Sequence, residues 1–194
     1  MIALVGHGGS GKDTLLKIYK NFGFNTIVSY TTRPIRHNEI NGIHYHYITK
    51  DDFLKRKKEG FFSEHIFLDG INNGEKEIWH YGVAKQDCDE NAVVVVELNG
   101  LRQLKKVVDK VFTIYIRACD ITRLNRMKSR GDERKELLRR FNQDAIDFEK
   151  VLDICDFIID NEKDMSEYEN YIEMENMIKR SIFEYNKFIG ENNG

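Results

Sequence analysis

The sequence predicts an α/β fold in which helices cover both faces of a mostly parallel sheet. Three observations lead to this prediction. Short apolar runs alternate with segments of helical periodicity along most of the 194 residues. The run at 92–96 is entirely apolar, which is typical of a strand buried on both faces. A glycine-rich loop at 6–11 joins the first apolar run to the first helical segment. Folds of this kind bind ligands at the carboxyl ends of their strands, where this loop lies.

Length and composition indicate one globular unit. Hydrophobic residues make up 41% of the chain and aromatic residues 11%, and the net charge is −2. Such a balance gives no general attraction to nucleic acid or to anionic membranes. No apolar run approaches the roughly 20 residues that span a bilayer, and the first run is too short for a signal peptide. Three widely spaced cysteines indicate reduced thiols, so we expect a cytoplasmic protein without nucleic-acid or membrane partners.

The first half of the chain predicts strands and turns around one charged helix. Apolar, aromatic or β-branched segments predict strands at 1–5, 24–30, 43–48, 61–67 and 78–83. Helices are expected after Thr14 and from Lys50 onward, the second with a solvated basic face. The polar stretch at 69–77, rich in Gly and Asn, predicts a loop or hairpin tip.

The second half returns to the alternation of strands and helices. Strands are predicted at 92–96, 111–116 and 157–159. Helices are predicted at about 101–108, over 121–140 with an interruption at Gly131, and over 141–151. From Asp164 an apolar stripe predicts a C-terminal amphipathic helix. This stripe alone leaves open whether the helix caps the core or joins a partner chain.

The glycine-rich loop has the pattern Gly-x-x-x-x-Gly-Lys. Glycines let successive backbone N–H groups turn toward an anion, the helix that follows presents its positive end, and a lysine reaches the outer phosphates. Asp13 stands where a hydroxyl residue usually serves Mg²⁺, and Thr14 supplies a hydroxyl one place later. We expect ATP to be bound by Gly6, Gly8, Gly9, Ser10, Gly11, Lys12, Asp13 and Thr14.

The stretch that follows the second predicted strand resembles the guanylate kinase family. That family carries Ser-x-Thr-Thr-Arg-x-x-Arg-x-x-Glu-x-x-Gly-x-x-Tyr, and the matching residues here are Ser29, Thr31, Thr32, Arg33, Arg36, Glu39, Gly42 and Tyr45. The likeness continues in order to about residue 161. It implies a P-loop NTPase-type three-layer fold with a small mixed α/β acceptor-binding excursion and a helical lid. It also implies the phosphorylation of GMP or dGMP by ATP with Mg²⁺.

The resemblance also assigns roles to individual residues. A guanidinium fork and hydroxyl donors suit a dianionic phosphate, and the acceptor GMP is expected to contact Ser29, Arg33, Arg36, Tyr45, Glu64, Tyr81 and Glu97. Glu64 would accept the two adjacent donors of guanine, and Glu97 would contact the base or hold Mg²⁺ through water. Thr14 is the other expected Mg²⁺ ligand. The residues expected to neutralise the transferring phosphoryl group are Lys12, Arg126, Arg130 and Arg140.

The same resemblance divides the single domain 1–194 into regions. We expect a core at 1–29 and 84–194, an acceptor-binding region at 30–83 and a lid at 119–140. The family has Ser or Thr where Val83 stands, and the stretch at 65–80 is longer than usual. An alternative reading is therefore a kinase of another acceptor, such as another nucleotide or ribose 1,5-bisphosphate. A non-catalytic phosphopeptide-binding module is a weaker alternative, because such modules generally lack the loop lysine and lid arginines. Nucleotides are the expected partners of a monomer or homodimer.

Overall fold

The computed structural model describes residues 1–72, 74–129, 134–148, 150–163 and 168–191, with the side chains of 136, 140, 145–147, 168 and 191 left out. Five parallel strands form the larger sheet: β1 (Ile2–Val5), β2 (Asn25–Thr26), β7 (Ala92–Val95), β8 (Phe112–Arg117) and β9 (Phe157–Asp160). Their spatial order is β2-β7-β1-β8-β9. This arrangement confirms the predicted α/β fold class with a parallel sheet.

The described residues form six α-helices in addition to the strands. They are α1 (Lys12–Asn21), α2 (Lys50–Lys58), α3 (Leu98–Val107), α4 (Asp120–Ser129), α5 (Arg134–Asp147) and α6 (Tyr168–Glu191). Thr49 caps α2, where its side chain accepts a hydrogen bond from the Asp52 amide. Within the described ranges, no helix is both long and apolar enough to cross a membrane.

Apolar side chains pack against both faces of the larger sheet. Along β1, Ala3 and Val5 join one buried cluster, whereas Ile2 and Leu4 join the other. This alternation is that of a strand covered on both sides. The second cluster also contains three fully or almost fully buried residues of α6: Met174, Ile178 and Tyr185. The C-terminal helix therefore caps the core of its own chain.

Four further strands form a smaller, separate sheet. They are β3 (Tyr30–Thr31), β4 (His46–Tyr47), β5 (Phe62–Asn72) and β6 (Glu75–Ala84), in the order β4-β3-β6-β5. The strand predicted at 24–30 is thus two strands, one in each sheet. The chain leaves the larger sheet after β2 and rejoins it at β7.

Of the two alternatives predicted at 69–77, a loop or a hairpin tip, the structure has the hairpin, but its turn is shorter than predicted. Strands β5 and β6 continue as an antiparallel ladder to the pair Asn72 and Glu75. Gly70 lies under the indole of Trp79, and a Cβ atom at this position would come within 2.5 Å of the ring. The glycine is explained by this close approach of a ring to the backbone, a role that its polar neighbours in the sequence do not reveal.

Candidate active site

The glycine-rich loop connects β1 to α1 at the carboxyl edge of the larger sheet. Gly9 and Gly11 have φ angles of +79° and +93°, in the left-handed region that glycine adopts most readily. A Cβ atom on Gly9 would also lie 2.7 Å from the carbonyl oxygen of Arg123. Both conformation and space therefore require glycine at residue 9, and the loop turns tightly before the first helical residue.

Lys12 folds back over this loop. Its Nζ donates hydrogen bonds to the carbonyl oxygens of Gly6, at 2.6 Å, and His7, at 3.1 Å. The ammonium group is thus held beside the amides of the loop, and it lines the adjacent cavity. A cation in this position can reach an anion that the loop binds.

A single cavity of about 870 Å³ joins the loop to the smaller sheet and to helices α4 and α5. Twelve of the residues expected to form the site line it: Gly8, Gly9, Gly11, Lys12, Asp13, Thr14, Arg33, Arg36, Tyr45, Tyr81, Glu97 and Arg126. Gly6, Ser10, Ser29 and Glu64 are not among its lining residues, and Ser10 is fully buried. Arg130 and the side chain of Arg140 lie outside the described part of the chain.

Arg33 is buried in a bidentate ion pair. Its Nη1 and Nη2 donate to the two carboxylate oxygens of Glu39 at 2.9 and 2.7 Å. Its guanidinium also lies over the Tyr45 ring, 5.5 Å from the centroid. Burial alone would raise the pKa of Glu39, but the hydrogen bonds from Arg33 and from the Arg36 amide outweigh it and lower that pKa to about 2. Glu39 therefore fixes the orientation of the arginine fork beside the cavity.

Glu64 is a buried carboxyl group at the base of the β5–β6 hairpin. Its side chain is 4% exposed, and no described residue donates a hydrogen bond to its Oε2 atom. Burial, followed by the negative charge of Glu97, raises its pKa to about 8. A buried acceptor atom that receives no hydrogen bond lowers the stability of a protein. The Glu64 carboxyl group is therefore suited to a ligand that brings hydrogen-bond donors.

The wall behind Glu64 belongs to α3. A Cβ atom on Gly100 would lie 2.5 Å from Oε2 of Glu64. One turn further, the side-chain amide of Gln103 pairs with both backbone groups of His65: its Oε1 accepts from the His65 amide at 3.2 Å, and its Nε2 donates to the His65 carbonyl at 2.9 Å. The core helix thus sets the position of Glu64 from behind.

Val83 does not face the cavity. It pairs with Glu64 in the ladder between β5 and β6, and its side chain is fully buried in the first apolar cluster. The missing hydroxyl at this position is therefore compatible with the packing of the core, which a polar group without a partner would disturb.

Arg126 is held by backbone carbonyl groups. Its Nη1 and Nη2 donate to Asn161 and Lys163, each at 2.9 Å. Asn161 is 1% exposed and in turn donates from Nδ2 to the carbonyl oxygen of Ser10 at 2.8 Å. The segment after β9 therefore links Arg126 to the glycine-rich loop.

Comparisons with known proteins agree with this geometry. The family model described as guanylate kinase matches residues 1–181. The chain belongs to the guanylate kinase family. A protein named guanylate kinase from Campylobacter jejuni is 30% identical over 93% of this chain and 83% of its own length. Another from Paraburkholderia xenovorans is 31% identical over 72% of this chain, which spans only 63% of that relative.

The fold of this guanylate kinase family member also has a solved counterpart. The crystal structure of guanylate kinase from Anaplasma phagocytophilum superposes with a TM-score of 0.61 at 20% identity, covering 98% of this chain and 85% of the other. At this level of identity the similarity supports the fold. The residue roles rest on the site itself.

Several cavity residues of this guanylate kinase family member escape a reading of the sequence. They are Lys17, Asn125, Arg139, Gln143 and Asp144. Arg139 directly precedes the expected Arg140 in α5, and the sequence gives no reason to choose Arg139 as a cavity residue. Asn161 also lines the cavity, and here the sequence does give an indication, because Asn161 directly follows an apolar strand that ends beside the loop.

Replacing Gly100 with alanine is expected to lower the free energy of unfolding by about 1–3 kcal/mol. The added methyl group meets the Glu64 carboxyl group, and this clash outweighs the gain of roughly 1 kcal/mol in helix propensity. Gly190→Ala is the matched control, since a Cβ atom there meets nothing within 4 Å. Urea unfolding measures both variants, and equal stability of Gly100→Ala and the wild type would contradict the expectation.

The stability contributed by Glu64 is expected to decline as the pH rises from about 4.5 to about 8. In that window the folded protein keeps a proton that the unfolded chain has lost, so the slope approaches about 1.4 kcal/mol per pH unit at most. Burial, and after it the charge of Arg123, lowers the pKa of His7 from 6.5 to about 4. Between these two values the unfolded chain holds the proton, so the contribution of His7 to stability rises with pH and opposes that of Glu64. Urea unfolding of the wild type and Glu64→Gln across this range isolates the Glu64 contribution as their difference. Parallel pH profiles of the two proteins would refute it.

Proposed function

We propose that this protein transfers the γ-phosphoryl group of ATP to GMP or dGMP, producing ADP and GDP or dGDP. One observation carries the proposal: a single cavity is lined both by the lysine of the glycine-rich loop and by Arg33, Arg36, Tyr45 and Tyr81. The first set suits a triphosphate, and the second suits the phosphate of a second nucleotide. Membership of the guanylate kinase family supports the pairing.

On the donor side, the loop and its cations hold the triphosphate. The loop amides and Lys12 would bind the outer phosphates, and Arg126, Arg130 and Arg140 would approach from the lid. An oxygen of the acceptor phosphate attacks the γ-phosphorus, and the bridging oxygen leaves on ADP with the electron pair of the broken bond. Charge develops over the phosphoryl oxygens in the transition state, so fixed cations around it supply most of the catalysis.

On the acceptor side, the buried fork of Arg33 is already oriented by Glu39. Together with Arg36, Ser29, Tyr45 and Tyr81 it would bind the GMP phosphate. Glu64 would accept hydrogen bonds from N1–H and the 2-amino group of guanine, with Glu97 nearby. The raised pKa of Glu64 supports this role, because donors from a bound base stabilise the ionised carboxylate that burial disfavours.

Mg²⁺ fits the donor set at the same cavity. Thr14 and Glu97 both line it, and the hydroxyl and carboxylate oxygens that they carry suit a hard cation that also takes phosphate oxygens and waters. When bound, Mg²⁺ would neutralise charge on the β- and γ-phosphates. Thr14 and Glu97 are the two residues of this chain that would hold it, Glu97 through water.

The proposed division of the chain follows from these roles. The core comprises 1–29 and 84–194, the acceptor region 30–83 and the lid 119–140. Closure of the acceptor region and lid around both nucleotides would exclude water and prevent hydrolysis of ATP. We place the protein in the cytoplasm as a monomer or homodimer, with nucleotides as its partners.

The release of ADP by the purified protein tests the proposal. The assay contains ATP and Mg²⁺ with GMP, dGMP, AMP, CMP, UMP or ribose 1,5-bisphosphate in turn. Turnover confined to GMP and dGMP supports it. Turnover with another acceptor would keep the phosphate loop and reject the guanine assignment of Glu64. ATP binding without turnover on any acceptor would reject the proposal that this protein is a kinase of these acceptors.

A further inference from the structure

A buried arginine and a partly buried aspartate enclose one glycine of the phosphate loop. Asp144 Oδ2 accepts a hydrogen bond from the Gly8 amide at 2.7 Å. Arg123 donates from Nε to the Gly8 carbonyl oxygen at 3.0 Å and from Nη2 to the same Asp144 oxygen at 2.9 Å. Both backbone groups of Gly8 are therefore tied into one closed ring of hydrogen bonds.

The ring is buried and joins three separate elements. The side chains of Arg123, on α4, and Asp144, on α5, are 4% and 16% exposed, and the guanidinium of Arg123 also lies 4.9 Å from the ring centroid of Phe141. An ion pair removed from water to this degree recovers its desolvation cost only with good geometry and further hydrogen bonds. Here those further bonds go to the loop that lines the ATP cavity.

The space around Gly8 is matched to the pair. A Cβ atom on Gly8 would lie 3.3 Å from Asp144 Oδ2 and against the end of the Met127 side chain. Asp144 also lines the cavity itself. Its negative charge therefore lies near the position of a bound triphosphate, and the paired Arg123 cation offsets the repulsion between the carboxylate and the phosphates.

We propose that Arg123 and Asp144 are positioning residues that fix the phosphate loop at Gly8 and connect it to α4, which lies within the expected lid, and to α5. The inference rests on the proposed function only in that the loop binds ATP. Arg123 has two tasks: it holds the Gly8 carbonyl group, and it neutralises Asp144. Loss of Arg123 therefore harms ATP binding more than loss of the Asp144 charge, because it leaves an uncompensated carboxylate beside the phosphates.

Calorimetric titration with ATP and Mg²⁺, without acceptor, measures the effect directly. We expect Asp144→Asn to weaken ATP binding about fivefold to tenfold and Arg123→Met about thirtyfold or more, as for hydrogen bonds to charged groups. The Kd for GMP is expected to change by less than about twofold, because the backbone groups that the ring holds are those of Gly8 in the ATP-binding loop. The double variant is expected to bind ATP better than Arg123→Met alone, because it lacks the stranded charge.

Asp156→Asn is the matched control. Asp156 also accepts a backbone hydrogen bond, from the Thr113 amide at 2.6 Å, and lies 3.9 Å from the ammonium of Lys105. Asp156 directly precedes β9, so it lies at the amino ends of the parallel strands, whereas the phosphate loop lies at their carboxyl ends. Asp156→Asn is expected to lower the melting temperature without changing the Kd for ATP. If Arg123 and Asp144 had only a structural role, their variants would likewise lower the melting temperature without changing the Kd for ATP.

Arg123→Lys keeps the test decisive if Arg123→Met does not fold. A lysine can pair with Asp144 but cannot also hold the Gly8 carbonyl group in the geometry of a guanidinium fork, so weaker ATP binding with a retained melting temperature is expected. Unchanged ATP binding in Asp144→Asn and Arg123→Lys would overturn the inference and leave the proposed function intact. A wild-type protein that does not bind ATP would instead overturn the proposed function.

Discussion

Replacing Lys12 with methionine is expected to lower the turnover number for phosphoryl transfer about a thousandfold. The ammonium group already sits on the loop through the Gly6 and His7 carbonyl groups, so it needs little reorganisation when negative charge develops on the phosphoryl oxygens. Methionine has a similar length and no charge. It removes the electrostatic contribution while largely preserving the space that the side chain fills.

Lys20→Met is the control for this experiment. Lys20 is an exposed lysine in the last turn of the same helix, far from the loop along the chain. ADP release at saturating ATP and GMP should be unaffected by Lys20→Met and nearly abolished by Lys12→Met, with similar melting temperatures. A Lys12→Met protein that retains more than about a tenth of wild-type turnover would show that Lys12 does not stabilise the transition state to the extent expected of such a group.

Replacing Glu64 with glutamine is expected to lower kcat/KM for GMP by about a hundredfold to a thousandfold, because a site built to hydrogen-bond a polar substrate group loses most of its discrimination when the match is broken. The amide offers one oxygen acceptor and turns an NH₂ group toward a donor of guanine. Burial makes the mismatch severe, since the side chain is 4% exposed and water cannot fill in.

Inosine monophosphate, which lacks the 2-amino group, makes the Glu64 experiment specific. The wild type should prefer GMP strongly over inosine monophosphate, and Glu64→Gln should lose most of that preference. Glu75→Gln, at the exposed tip of the same hairpin, should behave like the wild type. If Glu64→Gln lowered the rates with both acceptors equally, Glu64 would support the fold of the site without reading the base.

The sequence was sufficient for the family and for the framework of the fold. A fully apolar run such as 92–96 and a glycine-rich loop before a helix have few other interpretations, and the family match over 1–181 confirms the resemblance that begins at Ser29. The resemblance also predicted that Lys12, Arg33 and Tyr81 belong to one site; all three line one cavity, and their roles remain predictions. The roles of Arg130 and Arg140 remain predictions.

Long-range contacts of ordinary residues were beyond the reach of the sequence. Arg123 and Asp144 lie in a highly charged helical stretch in which most side chains face solvent, so periodicity gives no reason to single out these two. The composition around Gly70 predicts a turn residue, whereas the ring of Trp79 packed on its backbone explains the glycine. In both cases the deciding partner is distant in sequence or across a strand, and composition does not reveal such partners.

The pairing of Gln103 with His65 determines where the acceptor region can pivot. Because both backbone groups of His65 are bonded to a core helix, the first residues of β5 belong mechanically to the core. In the proposed enzyme, bending of the hairpin is therefore expected beyond His65. Such an anchored base would keep the Glu64 carboxyl group at a constant depth while Arg33 and Arg36 move, so we expect binding of the nucleobase to be unaffected by closure.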